Sequence, residues 1–482
     1  MTIILPANTL SAGGYTVANS CRFNDDDTAY LHRTPGSEGN RKTWTFSCWF
    51  KRGNLYAQAG EMRLFGGNSI GCHIYLYNEE IIWDLTAPSS ASLLGRLKTN
   101  RDFRDPSAWY HLVCAYDTEQ ATAGNRMRMY INGTEETSFE TDTNPDEDLA
   151  TNAINDDEIH TIGYRTAGMG AAGMEMDGYL AEVVFIDGLQ LAPTSFGEFD
   201  EDSQTIWKPI DVSGLTFGTN GFYLDFEDSD NLGDDESGNT NDWTEVNLAA
   251  ADQCVDSPTN NFATLNPLDN AQSDATYSEG NCKWATSTNS HYFWGRSTIG
   301  MSAGKWYMEF KATSIPEHGY FGICVDGPDD NTTFLTNGGR NDHVEYGYKT
   351  SDGNSYTNTG SSSYGDTYDD GDIIGVALDL TNNKLYFSKN GTWQNSGDPT
   401  SGATGTGAIS ITAAASNGFG EYFFCCADGT SGTSGTFEAN FGSPAFTISS
   451  GNADANGYGN FEYAVPSGYL ALCTKNLGSD GG

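Results

Sequence analysis

Strict alternation of apolar and polar residues is the feature that most limits what this chain can fold into. Trp44, Phe46, Cys48 and Phe50 lie two residues apart, and a spacing of two places side chains on one face of a β-strand. The same alternation marks the ranges 109–116, 126–131, 179–186, 305–311, 373–380 and 384–389. No segment of helix-like length carries the period of an amphipathic helix. The pattern predicts an all-β protein.

Turn dipeptides follow several of these segments. They are Asn132-Gly133, Asp187-Gly188, Asn382-Asn383 and Asn390-Gly391. Such residues tolerate the positive φ angles of tight hairpins, so consecutive strands are expected to run antiparallel.

The charge balance excludes two classes of function. Acidic residues number 65 against 24 basic ones, and the formal net charge is -41. A surface of that sign repels nucleic acid and anionic membranes. The N-terminal segment lacks a basic n-region, and no apolar stretch reaches the length of a spanning helix, so neither a signal peptide nor membrane insertion is expected. The ten scattered cysteines fit reduced core residues better than a disulfide framework or a zinc site.

The 482 residues are enough for two domains with their own cores. Residues 227–243 are a run of Asp, Asn, Ser and Gly with little to bury, and they predict a boundary there or shortly after. The predicted organisation is an N-terminal arm (1–22), a first sandwich (23–226), an acidic loop with an interdomain strap (227–285), a second sandwich (286–446), and a C-terminal segment packed on the body (447–482).

Both halves resemble known families. The first half contains WTFSCWFK, WYHLVCAYD, MRMYINGTEE and DGYLAEVVFIDGLQL, and over residues 23 to 226 it resembles laminin G-like and pentraxin-like concanavalin A sandwiches. The second half contains GKWYMEFKAT, GYFGICVD and GDIIGVALDLTNNKLYFSKNGTW, and over residues 286 to 446 it resembles the SPRY domain. The resemblance implies two antiparallel jelly-roll sandwiches in tandem, a fold that hosts sugar binding, protein binding and glycan cleavage.

The joined arrangement is similar to structural proteins of tailed phages. It implies a non-enzymatic virion protein, either a capsid decoration or a tail fibre or appendage, that lies on the virion surface. Its expected partners are other virion proteins and a host-surface glycan or receptor. Two alternatives stay open: a tail-spike polysaccharide depolymerase and a secreted lectin-like adhesin.

Catalytic residues are hard to find. Glycoside hydrolysis needs two carboxylates facing one bond. Glu182 and Asp187 point to opposite faces of a strand because their spacing is odd. Glu175 and Asp177 share a face, but they precede a glycine at the point where the last strand of the laminin G pattern merely begins. No triad, P-loop or dinucleotide-binding motif occurs, so no enzymatic activity is expected.

An acidic loop offers candidate calcium ligands. Hard oxygen donors of the kind Ca²⁺ prefers are concentrated in residues 225 to 242. The candidates are Asp228, Asp230, Asp234, Asp235, Asn239 and Asp242. The alternative is a solvated acidic loop, in a chain that is acidic throughout.

Aromatic residues in the loops of the second half offer a candidate ligand site. Tyrosine presents a flat amphipathic ring on which a sugar can stack. The candidates are Tyr346, Tyr348, Tyr356, Tyr364, Tyr368 and Trp393. The alternative for each is packing beneath the loops as part of the sandwich.

The N-terminal arm predicts assembly. Its apolar residues include Ile3, Leu5, Leu10 and Val17, while Arg22 is its one charged residue. An apolar arm needs cover, so we expect it to dock on the virion or to add a strand to a neighbouring subunit in a homo-oligomer, with a trimer favoured. The alternative is that it packs on its own sandwich as a first strand.

Overall fold

The computed structural model describes residues 14–55, 61–67, 71–87, 92–165, 174–269, 275–287, 293–316, 318–325, 345–357, 360–429 and 434–480. These residues divide into two compact units that meet in sequence between Thr259 and Asn260. We call them the N-terminal and the C-terminal unit. The extended structure lies in sheets whose pairings are almost all antiparallel, so the predicted all-β class is confirmed.

Among its described residues, the N-terminal unit contains eighteen strands. They are β1 (Ser20–Phe23), β2 (Tyr30–Arg33), β3 (Thr43–Arg52), β4 (Glu61–Gly67), β5 (Cys72–Tyr77), β6 (Glu80–Thr86), β7 (Leu93–Thr99), β8 (Trp109–Asp117), β9 (Met127–Ile131), β10 (Thr134–Glu135), β11 (Phe139–Thr143), β12 (His160–Ile162), β13 (Gly178–Asp187), β14 (Gly197–Phe199), β15 (Trp207–Pro209), β16 (Phe222–Leu224), β17 (Thr244–Val246) and β18 (Gln253–Cys254).

Two sheets form this sandwich. Sheet I runs β10-β9-β8-β3-β13-β1-β18 with β16 on β13, and sheet II runs β11-β7-β6-β5-β4-β12-β2-β17. Their inner faces meet in one core, where the Phe46 ring of sheet I stacks on the Phe65 ring of sheet II at 4.6 Å. Each such aromatic pair adds roughly 0.5–1.5 kcal/mol to the free energy of burying the rings.

The start of the described chain is covered within its own unit. β1 pairs with β13 and β18, and the buried Val17 donates its N–H to Thr259 Oγ1 at 3.1 Å. For residues 14–22, the alternative of packing on the same sandwich therefore describes the structure, because β13 and β18 supply the pairing that a neighbouring subunit would otherwise have to supply. Ile3, Ile4, Leu5 and Leu10 lie outside the described residues, and oligomerisation stays a prediction.

In the part of its sequence that the structure describes, the C-terminal unit contains fifteen strands and one short α-helix. They are β19 (Thr276–Ser278), β20 (Lys283–Ala285), β21 (Phe293–Arg296), β22 (Lys305–Ser314), β23 (Gly319–Cys324), β24 (Glu345–Lys349), β25 (Asn354–Thr357), β26 (Gly360–Ser363), β27 (Ile373–Asp379), β28 (Lys384–Lys389), β29 (Thr392–Trp393), β30 (Ile409–Ser410), β31 (Phe423–Asp428), β32 (Thr436–Asn440), β33 (Leu470–Ala471) and α1 (Thr474–Asp480).

This unit is a second sandwich. Sheet III runs β19-β20-β32-β22-β27-β28-β29 with β30 on β28 and β33 on β22, and sheet IV runs β21-β31-β23-β24-β25-β26. The Phe310 ring of sheet III stacks on the Phe321 ring of sheet IV at 4.6 Å. The predicted turn between β28 and β29 forms, with Asn390 and Gly391 at φ of 47° and 78°.

Residues 227–285, predicted to be an acidic loop and strap, contribute strands to both units. β17 pairs with β2 and β18 with β1 in the N-terminal unit, whereas β19 and β20 join sheet III. Short strands of this kind are hard to recognise in sequence because their few apolar residues do not form a visible period.

All ten cysteines are buried thiols, as their position in apolar segments predicted. None of the helices in the described ranges combines the length and the apolarity needed to cross a bilayer.

One buried carboxylate attaches the C-terminal segment to sheet III. Glu309, which is fully buried in β22, accepts hydrogen bonds from the backbone N–H groups of Glu462 at 2.9 Å and Tyr463 at 2.8 Å. Tyr307 Oη and Asn440 Nδ2 also donate to it. Beyond this anchor, β33 pairs parallel to β22, so residues up to α1 belong to the body of the unit.

We therefore predict that Glu309→Ala lowers the free energy of unfolding of the C-terminal unit by about 3 kcal/mol, because buried donors lose their acceptor. Urea unfolding measures the change, and proteolysis should detect release of the segment after residue 447. The matched control is Glu438→Ala, which removes a partly exposed carboxylate 3.7 Å from Lys311 and should cost less than about 1 kcal/mol. Equal losses in both variants would contradict the anchor.

Candidate functional site

The predicted aromatic site does not form as a group. Tyr346, Tyr348, Tyr364 and Tyr368 are buried in the core of the C-terminal unit. Their hydroxyl groups are used internally, as in the 2.7 Å bond from Tyr368 Oη to the carbonyl of Tyr348. The rings pack beneath the loops because a sandwich of this size needs large side chains to fill its rim.

Two of the six predicted rings remain partly accessible. Tyr356 lies on β25 of sheet IV and donates to Asp352 at 2.8 Å. Trp393 lies on β29, at the edge of sheet III. Since the two residues belong to different sheets, the structure does not bring them together in one binding surface.

The predicted calcium loop is held by its own hydrogen bonds. The buried Asp235 carboxylate accepts from the N–H groups of Tyr223, Ser237 and Asn241 and from Ser237 Oγ, at 2.8 to 3.0 Å. Asp242 accepts from the Asp235 N–H at 3.3 Å.

The remaining candidates in that loop are also placed by the structure. Asn239 donates to the carbonyls of Gly218 and Gly221, and Asp228 accepts from the N–H of Asp230 at 2.9 Å. Asp234, half-buried in the same loop, donates its N–H to the carbonyl of Asn231 at 3.1 Å. Across the described ranges, no group of three or more His, Cys, Asp or Glu side chains has the arrangement of a metal site. Calcium binding stays a prediction.

Two of the carboxylates considered for catalysis have fixed partners. Asp177 is fully buried and accepts from the Asn54 N–H at 2.7 Å. Asp187 accepts from Asn40, Asn155 and Asn220. The two residues lie at opposite ends of β13, and Glu175 is buried just before that strand.

Glu182 is the most unusual of these carboxylates. It lies at a β-bulge in β13 with a φ of 50°, a conformation that costs a non-glycine residue roughly 1–3 kcal/mol. It is buried and accepts from Tyr223 Oη at 3.0 Å and from Tyr15 Oη at 3.4 Å. Burial raises its pKa from 4.5 to about 8, although the bonds from the tyrosines act in the opposite direction.

A different set of residues forms a continuous polar surface on sheet II. Because strands alternate, the residues beside the core residues of this sheet point away from the core, except at the bulge in β4, where Leu64 and Phe65 both enter the core. The strand register aligns one such row across the whole sheet: His32, Thr161, Gly66, His73, Asp84, Arg96 and Thr143. We call this side of sheet II the polar face, and it also includes Glu61, Arg63, Tyr75, Lys98 and the adjacent Arg165.

One half of the polar face is completely paired. Asp84 accepts two bonds from the Arg96 guanidinium, at 2.5 and 2.6 Å, and a third from Tyr75 Oη at 2.9 Å. Charge-assisted bidentate bonds of this kind are among the strongest in proteins. They hold the Tyr75 ring in place, and the Arg63 guanidinium lies over that ring at 4.2 Å.

The other half contains donors without a protein partner. Arg63 Nη2 donates to Glu61 at 2.6 Å, but Arg63 Nε and Nη1, Arg165 Nε and His73 Nε2 are buried and make no hydrogen bond. Buried polar atoms are nearly always satisfied in folded proteins. These four nitrogen atoms leave hydrogen-bonding capacity unused on this half of the polar face.

The electrostatics of this half follow from burial. Burial lowers the pKa of His73 well below its usual value, and the nearby Arg63 and Arg165 lower it further, so the imidazole is neutral. Burial also lowers the pKa of Arg63, opposed by Glu61, yet the guanidinium remains charged.

An aromatic pair lies beside the β2 end of the polar face. The rings of Tyr30 and Tyr164 stack at 4.5 Å, and both are half-buried. Each ring presents an apolar body and a polar hydroxyl group beside the row of polar residues.

The sequence analysis missed this surface, although it contains a usable signal. In segments 61–67, 72–77, 80–86 and 93–99, charged or polar aromatic residues recur two positions apart, as in Glu61 and Arg63, His73 and Tyr75, and Arg96 and Lys98. Three of the basic residues of a strongly acidic chain, Arg63, Arg96 and Lys98, fall in these segments.

Comparison with known proteins identifies both domains. Residues 24–189 match the laminin G type model of the concanavalin A-like lectin/glucanases superfamily, and residues 305–426 match the SPRY domain. The chain carries a concanavalin A-like domain followed by a SPRY domain. The predicted pair of domains is thereby confirmed.

Individual relatives share only one region. The Ran-binding proteins 9/10 homolog of Drosophila melanogaster is 34% identical over 94 residues, which are 19% of this chain and 10% of that protein. Human Ran-binding protein 9 is 35% identical over 94 residues, 19% of this chain and 12% of that protein. The chain thus spans about a tenth of the length of these relatives.

Solved structures show similarity of the same limited extent. The SPRY domain of human HERC1 has a TM-score of 0.28 and 16% identity, covering 36% of this chain and 96% of that one. Stonustoxin has a TM-score of 0.27 and 18% identity, covering 37% and 27%.

Glu182 gives a prediction for the pH dependence of stability. The folded state keeps a proton up to about pH 8, whereas the unfolded state releases it near the ordinary pKa of 4.5. The free energy of unfolding should therefore fall as pH rises between these values. Glu182→Gln stays neutral, so calorimetry from pH 5 to 8 should show a flatter profile for the N-terminal unit.

The control for this experiment is Glu38→Gln, an exposed carboxylate beside Arg41, whose profile should follow that of the unmodified protein. Parallel profiles for all three proteins would show that Glu182 is ionised in the folded state.

Proposed function

We propose that this protein is a non-enzymatic binding protein that holds a glycan on the polar face of its concanavalin A-like domain. One observation supports it above the others: buried nitrogen donors without partners lie on the same outward sheet face as a half-exposed tyrosine stack. Sugars are recognised by this combination, in which hydrogen-bonding groups meet the hydroxyls and an aromatic ring packs against the C–H face.

The absence of cleavage is part of the same proposal. The sequence pattern offered four catalytic candidates: Glu175, Asp177, Glu182 and Asp187. Of these, Asp177 and Glu182 are buried among fixed hydrogen-bond partners. Glycoside hydrolysis needs two carboxyl groups that reach opposite sides of one bond. A carboxylate locked between backbone and phenol groups is poorly placed for that task.

The SPRY domain is proposed to bind protein. Curated relatives of part of this chain are named for binding Ran, and we extend only the class of ligand, a protein, to the SPRY domain. In the setting proposed below, that partner is another virion protein.

We further propose that the chain is carried on the surface of a tailed-phage particle, as a capsid decoration or a fibre or appendage subunit. The support is the resemblance of the segments NGFYLDFEDSDNLGDDESGNTNDWT and PSGYLALCTKNL to structural proteins of such phages. Immunogold labelling of intact particles tests this placement, and label confined to lysed cells without particles would contradict it.

Glycan binding is tested with the whole chain by affinity electrophoresis in gels containing host polysaccharide. We expect retention without new reducing ends. Tyr164→Ala should weaken retention several-fold by removing the stacking platform, at a cost typical of a lost aromatic contact.

The control variant is Tyr458→Ala, a partly exposed tyrosine of the C-terminal unit, which should retain full binding. Release of reducing ends would contradict the non-enzymatic proposal. Retention unaffected by Tyr164→Ala would move the binding site away from the polar face.

A further inference from the structure

The unpartnered donors of the polar face also indicate the kind of glycan. We propose that Arg63, Arg165 and His73 bind an anionic substituent, a carboxylate or a sulfate group, so that the ligand is an acidic polysaccharide. This inference rests on the proposed glycan-binding function and names the substrate class of the same site.

Several buried nitrogen atoms without a hydrogen-bond partner lie on the same half of the polar face. Arg63 is 3% exposed and His73 is 7% exposed, so water does not freely replace a missing partner. Four nitrogen atoms of Arg63, Arg165 and His73 are nevertheless unbonded. A buried donor left unsatisfied costs roughly 1–3 kcal/mol, and more when charged, and a bound oxyanion would remove several such costs at once.

The guanidinium groups of Arg63 and Arg165 favour a ligand group that only accepts hydrogen bonds. A guanidinium has N–H donors and no acceptor, and its planar fork matches the oxygens of a carboxylate. Three of the four open atoms are guanidinium nitrogens. A neutral sugar hydroxyl both donates and accepts, so a group that only accepts fits this arrangement better.

The side chains of Glu61, Arg63, Arg165 and His73 together carry an excess of positive charge. Glu61 Oε2 lies 2.6 Å from Arg63 Nη2 and 3.8 Å from Arg165 Nη1, so one carboxylate is shared by two guanidinium groups. With neutral His73, this group of four side chains keeps one net positive charge. The paired half of the face, with Asp84 and Arg96, has no comparable excess.

A glycine in β4, Gly66, leaves room on the polar face for the His73 imidazole. Gly66 lies between Thr161 and His73 in the row of the polar face. A Cβ atom at Gly66 would come within 2.5 Å of His73 Nδ1, so the imidazole occupies the space above the glycine. The missing side chain lets His73 lie close to the sheet beside the two arginines.

The net charge of the protein distinguishes binding at this site from non-specific attraction of a polyanion. A chain of net charge -41 repels polyanions at long range, so non-specific attraction cannot account for binding of an acidic polymer. At about 0.1 M salt this repulsion is screened beyond roughly 10 Å. Binding through buried donors should therefore persist as salt is added, unlike binding by ion exchange.

The test uses two pairs of polymers that differ only in charge. The whole chain is run in affinity electrophoresis against polygalacturonate and its methyl ester, and against dextran sulfate and dextran. We expect at least about tenfold tighter binding of the charged member of one pair, the equivalent of one strong charge-assisted contact.

Substitutions then assign the binding to these side chains. Arg63→Gln should remove the preference for the charged polymer, and Arg63→Lys, which keeps the charge but loses the fork, should weaken it. The matched control is Arg128→Gln, because Arg128 also pairs with a glutamate, Glu135, and lies near a tyrosine ring, yet is 36% exposed. Melting curves verify that each variant is folded.

The outcomes separate this inference from the function on which it rests. Equal binding of charged and neutral polymers, reduced by Tyr164→Ala but not by Arg63→Gln, would overturn the anionic ligand and keep the glycan site. A charge preference that Arg128→Gln removes as effectively as Arg63→Gln would overturn the assigned site. Failure to retain any of the four polymers, or host polysaccharide, would overturn both proposals.

Discussion

The alternation of side chains along a strand is the constraint on which the rest of this structure depends. In each unit two sheets bury their inner faces against each other, and the stacked pairs Phe46–Phe65 and Phe310–Phe321 lie at the centres of the two cores. Once those rings are inside, the residues beside them point outward wherever the strand alternates regularly. The exception is the bulge in β4, where Leu64 and Phe65 both lie in the core. The row from His32 to Thr143 is thus a consequence of how the core is packed, and the polar face exists because sheet II cannot bury both of its sides.

A few buried polar groups hold the parts of each unit that strand pairing alone would leave loose. Lys51 and Asp256 form a fully buried ion pair at 2.7 Å, which fixes the segment after β18 to β3. Glu309 does the same for the C-terminal segment and β22. In both cases a charge is tolerated inside because several donors or an opposite charge surround it. Arg63 also has an opposite charge beside it, Glu61 at 2.6 Å, but its Nε and Nη1 atoms and the Nε2 atom of His73 make no hydrogen bond among the described residues.

The contrast between paired and unpaired donors is the basis of the binding role proposed for the polar face. Asp84, Arg96 and Tyr75 satisfy one another and therefore form a rigid floor. Beside them, the open donors of Arg63 and Arg165 retain the capacity to bind. A rigid, partly satisfied surface costs little entropy when a ligand binds, because the side chains are already ordered.

Much of the fold was determined by the sequence alone. Period-two segments and the Asn-Gly turns placed β3, β8, β9, β13, β22, β27 and β28 near their observed positions, since strand alternation and turn conformation are local properties. Tertiary structure alone decided which outward residues meet. The six aromatic residues chosen from sequence were scattered or buried, whereas Arg63, His73 and Arg165 come from β4, β5 and the segment after β12, and were brought together by strand register. Register depends on contacts between distant segments, and no local pattern contains that information.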